Sequence, residues 1–259
     1  MLKVERVTKI YGEQEASYLA LEDIAIDIAD GEFLCLLGPS GCGKTTLLNI
    51  LAGFESVTRG RVTLDGRDIR GPGQDRVMFF QDAGSALFPW LTVEENVNFG
   101  LKLRHTPKAE RGPIIDRYLK MVGLDDHRGK FPTQLSGGMR QRLQIARALA
   151  IEPEILLMDE PFAALDALTR RRMHSFLVDI WQQTQKTIVF VTHDISESIL
   201  LADRIAIMGV GPGSRFEDVI RVELQRPRDP GDAAFGEIYR RIERQLALEE
   251  SKLGDEAGR

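Results

Sequence analysis

A glycine-rich segment containing one lysine and two threonines is the part of the sequence whose chemistry is most readily inferred. It reads GPSGCGKTT, it follows the apolar run FLCLL, and an apolar segment typical of a helix comes after it. The spacing matches G-x-x-x-x-G-K-[ST], in which backbone N–H groups and a helix N-terminus surround phosphate oxygens. We expect Lys44 to reach the β- and γ-phosphates of a nucleotide, Thr45 to bind Mg²⁺ through its hydroxyl, and Thr46 to steady the phosphates. The residues predicted to hold the nucleotide here are Gly38, Pro39, Ser40, Gly41, Cys42, Gly43, Lys44, Thr45 and Thr46.

Two adjacent acidic residues at the end of another apolar run, ILLMDE, indicate what happens to the bound nucleotide. Neighbouring carboxylates repel each other unless a cation or a water molecule uses them. We therefore expect Asp159 to hold the Mg²⁺ shell and Glu160 to polarise the attacking water as a general base. The alternative is a strand that simply ends in a polar loop.

A histidine lies at the end of a third apolar run, TIVFVT. Single histidines are usually structural, but His193 ends a predicted strand in the same way as Asp159 and Glu160 do. We expect it to contact the γ-phosphate and the catalytic water. The residues after it, Asp194 to Glu197, are typical of a helix start with an N-cap and an acid three residues later.

Four short apolar runs without alternation indicate strands buried on both faces of a parallel sheet. They are FLCLLG, EILLMD, TIVFVT and RIAIMG. Near the N-terminus, Ile24, Ile26 and Ile28 alternate with other residues as in a half-buried strand. Helical patterns separate the apolar runs, so we predict an α/β fold with an antiparallel β-region near the N-terminus. We also predict a helical subdomain at about residues 88–150 and a C-terminal helix at about residues 233–250, whose apolar stripe packs on the protein's own core.

The composition argues against several other classes of protein. The 34 basic and 39 acidic residues give a formal net charge of −5, so no basic excess indicates a nucleic-acid surface. We interpret the local cluster Arg170, Arg171 and Arg172 as a solvated helix face. Cys35 and Cys42 do not have the spacing of a disulfide framework or a metal site, which fits a reducing compartment. We find no signal peptide and no run of about 18 apolar residues, and therefore expect a cytoplasmic protein.

Together with the stretch LSGG, these motifs resemble those of the ATP-binding cassette (ABC) ATPases, and they come in that family's order. The resemblance covers nearly the whole chain. It implies one nucleotide-binding domain over residues 1–259, with a P-loop NTPase (RecA-like) core, an N-terminal antiparallel β-subdomain and an inserted helical subdomain. It further implies hydrolysis of ATP with Mg²⁺. By this resemblance Gln81 is the Q-loop residue that senses Mg²⁺ and the attacking water. Tyr11 is the aromatic residue that stacks on adenine, with Tyr18 as the alternative.

The same resemblance implies a role for LSGG as half of a shared site. Cassettes of this family work as head-to-tail pairs, in which each ATP lies between the P-loop of one subunit and the signature of the other. Ser136, Gly137 and Gly138 are then expected to face the γ-phosphate held by a second ATPase subunit, either an identical chain or a close paralogue. Asp166, in the D-loop at residues 163–166, belongs to the same nucleotide-binding set. Hydrolysis removes charge that both subunits hold, so the pair is expected to open.

Further segments resemble the importer ATPases of this family, in particular its nitrate, sulfonate and taurine group. They are LFPWLTVEENV, Met139 after LSGG, DEPFAALDALTR, and RPRDP. This resemblance implies a peripheral protein on the cytoplasmic face of the inner membrane that powers uptake of a small anion. Its partners would be integral membrane permease subunits and, in the full system, an external solute-binding protein. Trp90 is then expected near the permease docking groove, with ordinary subdomain core as the alternative.

Two other nucleotide-dependent functions are alternatives to an importer ATPase. A soluble ABC ATPase acting on DNA or ribosomes would share the motifs, but such proteins usually have a coiled-coil insertion, zinc-binding cysteines or two cassettes. A nucleotide-binding adaptor that does not hydrolyse ATP would not need Glu160 and His193. The identity of the solute is not encoded in these motifs, because other subunits of an importer select it.

Overall fold

The computed structural model describes residues 1–12, 17–80 and 86–256, with side chains up to residue 249. Gln81, the residue identified with the Q-loop, lies outside the described residues. The chain divides into two compact units, the first formed by Met1–Gly73 with Gln185–Arg259 and the second by Gln74–Thr184. The strands are β1 (Leu2–Tyr11), β2 (Tyr18–Ile28), β3 (Phe33–Leu37), β4 (Arg59–Leu64), β5 (Arg67–Asp68), β6 (Arg76–Phe79), β7 (Ile155–Asp159), β8 (Thr187–Thr192), β9 (Arg204–Met208) and β10 (Phe216–Arg221). The α-helices are α1 (Lys44–Ala52), α2 (Val93–Leu103), α3 (Lys108–Met121), α4 (Gly137–Ala150), α5 (Ala167–Thr184), α6 (Ile195–Leu201) and α7 (Ala233–Glu256).

An antiparallel sheet in the first unit has the strand order β2-β1-β4-β5. Ile24, Ile26 and Ile28 of β2 are buried, as their alternation predicts. The pairing of β1 with β2 runs as far as Tyr11, which lies opposite Tyr18. The sheet therefore places both aromatic candidates for adenine stacking at one end of the same strand pair.

A second set of strands in the first unit has the order β10-β9-β3-β8. The central strand β3 is parallel to both of its neighbours, and its last residue, Leu37, pairs with Thr192 of β8 and Ile207 of β9. Every residue of β3 and β8 is buried, which confirms the prediction of parallel strands covered on both faces. Because parallel strands end at the same edge of a sheet, the segments that follow β3 and β8 begin side by side.

The C-terminal helix of the first unit packs on the core of that unit. Phe235 and Ile242 of α7 are buried, and α7 contacts α6, which in turn lies on β3 and β8. The prediction that this apolar stripe packs on the protein's own core is confirmed for these side chains. The helix extends to Glu256, past the predicted end near residue 250.

Arg228, in the stretch RPRDP, fixes the far end of α6. Its buried guanidinium donates to the carbonyls of Ile199 and Ala202 at the end of that helix, each at 2.6 Å, and to those of Val222 and Leu224. Burial lowers the pKa of Arg228 to about 10, so the side chain is still charged at neutral pH. A cation at a helix C-terminus is stabilised by the partial negative charge there.

The second unit combines a parallel strand pair, β6 with β7, and a group of helices. Helix α4 contacts α2, α3 and α5 and is therefore the centre of this group. Helix α2 begins with a capping box, in which the Thr92 hydroxyl accepts from the Glu95 N–H and the Glu95 carboxylate accepts from the Thr92 N–H. None of the helices that the structure describes is both long and apolar enough to cross a lipid bilayer.

Candidate active site

The glycine-rich segment forms the predicted loop between β3 and α1. Gly43 is the N-cap of α1 with φ 87°, and Gly41 has φ 83°. Both values lie in the left-handed region, which glycine adopts without the steric cost that a Cβ atom would bring. The loop is thereby turned back over the start of α1, so the first N–H groups of that helix line it.

Close packing also requires glycine at two positions of this loop. A Cβ atom on Gly38 would lie 2.7 Å from the Met208 carbonyl oxygen and 2.8 Å from the Cys42 sulfur. A Cβ atom on Gly43 would lie 2.7 Å from a methyl carbon of Leu21. The loop is therefore seated against the ends of β9 and β2, within the first unit.

Lys44 occupies the inside of the loop. It is 6% exposed, and its ammonium donates to the carbonyls of Gly38 and Pro39, each at 2.7 Å. The Cys42 sulfur lies 3.7 Å from the same nitrogen. Burial raises the pKa of the Cys42 thiol, so this side chain is neutral at physiological pH. The loop thus holds one cation next to backbone N–H groups, the combination that binds phosphate oxygens.

Replacing Gly38 by alanine tests how tightly this loop is packed. We expect Gly38→Ala to lower the free energy of unfolding by about 2 kcal/mol, because the methyl group overpacks a site bounded by backbone. Urea unfolding followed by fluorescence measures the change. Gly71→Ala is the matched control, since a Cβ atom there meets nothing within 4 Å. Equal stability losses in the two variants would contradict the packing described for Gly38.

His193 follows β8 at the same edge of the sheet as the glycine-rich loop. Leu37 and Thr192 are register partners, so Gly38 and His193 are the residues that directly follow a paired position. The buried Thr192 hydroxyl donates to the Glu197 carboxylate and accepts from the Asp194 N–H at 3.0 Å. Asp194 also caps α6 by accepting from the Glu197 N–H at 3.0 Å, as predicted. His193 is therefore held between two anchored neighbours.

The two tyrosines proposed for adenine stacking are Tyr11, the last residue of β1, and Tyr18, the first residue of β2, and they pair with each other. Tyr18 is 48% exposed and lies three residues before Leu21, the residue against Gly43. The Tyr11 ring already has the Lys9 ammonium 4.7 Å from its centroid. Because Tyr11 and Tyr18 are register partners, the strand pairing does not distinguish between them as the residue that stacks on adenine.

Asp159 and Glu160 belong to the second unit. Asp159 is the half-buried last residue of β7, and Glu160 is half-buried with φ 42°. A positive φ is uncommon for a residue other than glycine and is concentrated at functional positions. The chain therefore leaves the strand abruptly at the two acids, which are presented at its carboxyl end as predicted.

The predicted Mg²⁺ ligands fit the chemistry of that ion. They are a hydroxyl from the exposed Thr45, at the start of α1, a carboxylate from Asp159, and Gln81, which lies outside the described residues. Mg²⁺ is usually bound by one or two carboxylates together with substrate phosphates and water, and not by an all-protein cage. Among the described residues, no group of three or more His, Cys, Asp or Glu side chains could hold a metal ion.

The LSGG stretch forms the start of α4 in the second unit. Ser136 is exposed and caps the helix by accepting from the Met139 N–H at 3.3 Å. A Cβ atom on Gly138 would lie 3.0 Å from the Thr169 methyl carbon, and one on Gly137 would lie 3.3 Å from a methyl carbon of Leu165. The glycines thus let the start of α4 approach the D-loop and the start of α5. The resulting helix N-terminus is suited to an anion.

Asp166 has a structural partner in its own chain. Its carboxylate accepts from the Thr169 N–H at 3.0 Å and so caps α5, and this hydrogen bond lowers the pKa of Asp166. The predicted solvated face at Arg170, Arg171 and Arg172 is wrong for the first of them. Arg170 donates to backbone carbonyls of the segment before α5, whereas Arg171 and Arg172 are exposed. Helical spacing alone does not reveal this contact, because its acceptors belong to an irregular loop.

Comparisons with known proteins agree with this geometry. Residues 21–163 match the ABC transporter family. The bicarbonate transport ATP-binding protein CmpD of Synechocystis is 45% identical over 88% of this chain and 81% of the relative. The nitrate import ATP-binding protein NrtD of Synechococcus elongatus is 42% identical over 88% of this chain and 83% of the relative. A solved dimeric ATP-binding cassette in a post-hydrolysis state, bound to ADP and phosphate, is 34% identical with a TM-score of 0.72, covering 87% of this chain and 100% of that chain. The predicted P-loop NTPase fold is thereby confirmed.

Proposed function

Because the chain belongs to the ABC transporter family of ATPases, we propose that it is the ATP-hydrolysing subunit of an importer for a small anion. The observation that supports this function most directly is the buried Lys44 ammonium inside the glycine-rich loop, with His193 beginning at the same sheet edge. That arrangement suits a nucleoside triphosphate, whose phosphates need a cation, oriented N–H groups and a group near the γ-phosphate.

In the proposed mechanism, the loop binds the β- and γ-phosphates of ATP. The Lys44 ammonium exchanges its carbonyl partners for phosphate oxygens, and the N–H groups at the start of α1 add their partial positive charge. Thr46 steadies the phosphates, and Tyr11 or Tyr18 stacks on the adenine ring. Binding in this way is supported by the rigid seating of the loop, since few groups must be reordered when the nucleotide enters.

The chemical step is proposed to use the acids after β7 and the histidine after β8. Glu160 orients and polarises the attacking water, and His193 contacts the γ-phosphate. Thr45, Asp159 and Gln81 would hold Mg²⁺, which neutralises charge on the phosphates when it is bound. Glu160 directly follows the last residue of β7, so the end of that strand positions it next to Asp159.

Two such subunits are proposed to enclose two ATP molecules in a head-to-tail dimer. The start of α4, capped by Ser136 and followed by Gly137 and Gly138, would face the γ-phosphate held by the P-loop of the second subunit, with Asp166 beside it. A related cassette solved as a dimer with ADP and phosphate supports this assembly. Loss of the γ-phosphate then removes an anion that both subunits bind, so the dimer opens.

The permease is proposed to dock on an apolar groove of the second unit. The groove encloses about 410 Å³, and its apolar lining includes Phe79, Phe80, Phe88, Phe99, Leu103 and Ile151. A groove of this kind suits the apolar face of a partner helix. Beside it, Trp90 is 70% exposed, which argues against the alternative of ordinary subdomain core.

Asn96 holds the segment that presents Trp90. This fully buried amide accepts from the Phe88 N–H at 3.0 Å and donates to the carbonyls of Phe88, Leu91 and Thr92. The Phe88 ring lies 5.6 Å from the Trp90 ring. An exposed aromatic side chain on a well-fixed segment is typical of a binding hot spot, because little freedom is lost when a partner covers it.

The transported solute is proposed to be a small anion such as nitrate, bicarbonate or a sulfonate. Two relatives described as nitrate and bicarbonate transport proteins support this class. Selection among these anions would belong to an external solute-binding protein and to the permease. The chain would act from the cytoplasmic face of the membrane, as a peripheral subunit.

Transport by reconstituted vesicles tests the proposed function. The chain and the permease that co-purifies with it are placed in proteoliposomes with the ATP site outside, and labelled nitrate, bicarbonate and taurine are offered with the cognate binding protein inside. We expect ATP-dependent export of one of these anions from the lumen, the direction equivalent to uptake by a cell. Tight, salt-resistant binding to RNA or DNA, with no permease recovered, would instead favour a soluble ATPase.

Trp90→Ala tests the docking surface in the same vesicles. We expect transport to fall about tenfold or more, because hot-spot aromatic residues contribute about 2 kcal/mol or more to an interface. ATP hydrolysis by the isolated subunit should be unchanged. Leu248→Ala is the control, since Leu248 is 60% exposed on α7, in the other unit. Equal transport by the two variants would contradict the proposed position of the permease.

A further inference from the structure

The segment between β7 and α5 is held by one arginine from the helix that follows it. The Arg170 guanidinium donates to the carbonyls of Phe162 at 3.3 Å, Ala163 at 3.2 Å and Leu165 at 2.9 Å. Two of these acceptors, Ala163 and Leu165, belong to the D-loop, in which the Leu165 N–H also donates to the Phe162 carbonyl at 3.1 Å. A planar guanidinium with several N–H groups can satisfy diverging carbonyls that a lysine ammonium reaches only in part.

The signature helix holds the same segment from its other side. Gln141 of α4 is 4% exposed, and its amide donates to the Pro161 carbonyl. Near the start of α4, a Cβ atom on Gly137 would lie 3.3 Å from a methyl carbon of Leu165, and one on Gly138 would lie 3.0 Å from the methyl carbon of Thr169. The backbone from Pro161 to Leu165 is therefore fixed to α4 through Gln141 and to α5 through Arg170. All of these contacts lie within the second unit.

We propose that Arg170 is a positioning residue that makes the D-loop and the signature one preformed surface for the ATP of the second subunit. This inference rests on the proposed head-to-tail dimer. Without the arginine, the carbonyls of the loop would turn to water, and the loop would lose its fixed relation to Ser136. The surface would then have to be ordered each time the dimer closes, which weakens closure. The P-loop contacts of Lys44 are made by other residues and do not depend on Arg170.

ATP-dependent dimerisation and ATP binding by the monomer are the two measurements that distinguish a positioning role of Arg170 from a general structural role. In a Glu160→Gln background, we expect Arg170→Ala to weaken ATP-dependent dimerisation about tenfold or more, measured by sedimentation. In the otherwise native chain, turnover should fall by a similar factor, since small misplacements of active-site groups can cost about 10²-fold. The affinity of the monomer for a fluorescent ATP analogue should change by less than about twofold, because the P-loop is intact. Arg170→Lys should recover only part of the loss.

Arg171→Ala is the matched control, because Arg171 is the exposed neighbour on the same helix. Dimerisation of Arg170→Ala equal to that of Arg171→Ala would overturn the proposal and leave the dimer itself intact. A chain with native Arg170 that stays monomeric with ATP would overturn both the proposed function and this inference. Thermal melting checks folding. If Arg170→Ala is unfolded, Arg170→Lys decides, and a Lys variant that is folded and closes normally would reduce Arg170 to a structural role.

Discussion

Replacing Glu160 by glutamine is expected to lower ATP turnover by about 10²- to 10⁴-fold, the range attributed to a general base. Glutamine keeps the size of the side chain but cannot accept the proton of the attacking water. Binding of ATP should survive, because the phosphate loop is unchanged. The variant should therefore accumulate as an ATP-bound dimer. Phosphate release under saturating ATP measures the first effect, and size-exclusion chromatography with retained nucleotide measures the second.

Glu154→Gln is the matched control for this substitution. Glu154 is exposed and comes directly before β7, at the opposite end of the strand from Glu160. The same chemical change there should leave turnover within about twofold, as for most surface substitutions. Normal hydrolysis by Glu160→Gln would remove Glu160 from the role of general base. A comparable loss in both variants would indicate damage to β7 and not to the chemistry.

Replacing Ser136 by arginine is expected to abolish turnover, with a loss of about 10²-fold or more. The long side chain would occupy the space between the start of α4 and the γ-phosphate of the second subunit. It also removes a helix cap, which costs about 1 kcal/mol of stability. ATP binding by the monomer should remain, because in the proposed dimer Ser136 faces the nucleotide held by the other subunit. A fluorescent ATP analogue measures the binding, and phosphate release measures the turnover.

Gly129→Arg is the control that distinguishes the effect of an arginine at position 136 from the effect of adding an arginine elsewhere in the second unit. A Cβ atom on Gly129 meets nothing within 4 Å, so the same side chain is accommodated in the same unit without a clash. This variant should hydrolyse ATP at nearly the native rate. Loss of ATP binding by the Ser136→Arg monomer would contradict a site completed by the second subunit. It would mean that Ser136 contacts the nucleotide of its own chain.

Most of the fold could be predicted because its signals are local. The continuously apolar runs at β3 and β8 became strands covered on both faces, and the alternation of Ile24, Ile26 and Ile28 identified a half-buried strand. The strand–loop–helix order around Lys44 likewise follows from adjacent residues. For the strands, burial on one face or on both faces determines the spacing of apolar residues. Such strands can therefore be predicted from the sequence without the tertiary structure.

The contacts that organise the candidate site could not be predicted in the same way. The sequence alone does not distinguish Arg170 from its exposed neighbours, because its carbonyl acceptors belong to an irregular segment whose path depends on α4 and α5. The role of Asn96 could not be predicted either, because the sequence does not show which loop carbonyls its buried amide will bond. Tyr11 and Tyr18 pair directly at one end of β1 and β2, so both stay candidates for adenine stacking. Tertiary hydrogen bonds to loops have no fixed spacing in a sequence.

Sedimentation of the Glu160→Gln chain with ATP tests whether each ATP is bound by two subunits. We expect a species of twice the 29.1 kDa of one chain, which contains two ATP molecules and dissociates when ATP is removed. Adding Ser136→Arg to this chain should return it to a monomer that still binds one ATP. A Glu160→Gln chain that stays monomeric while saturated with ATP, or a dimer that forms equally well with Ser136→Arg, would contradict an ATP site shared by two subunits.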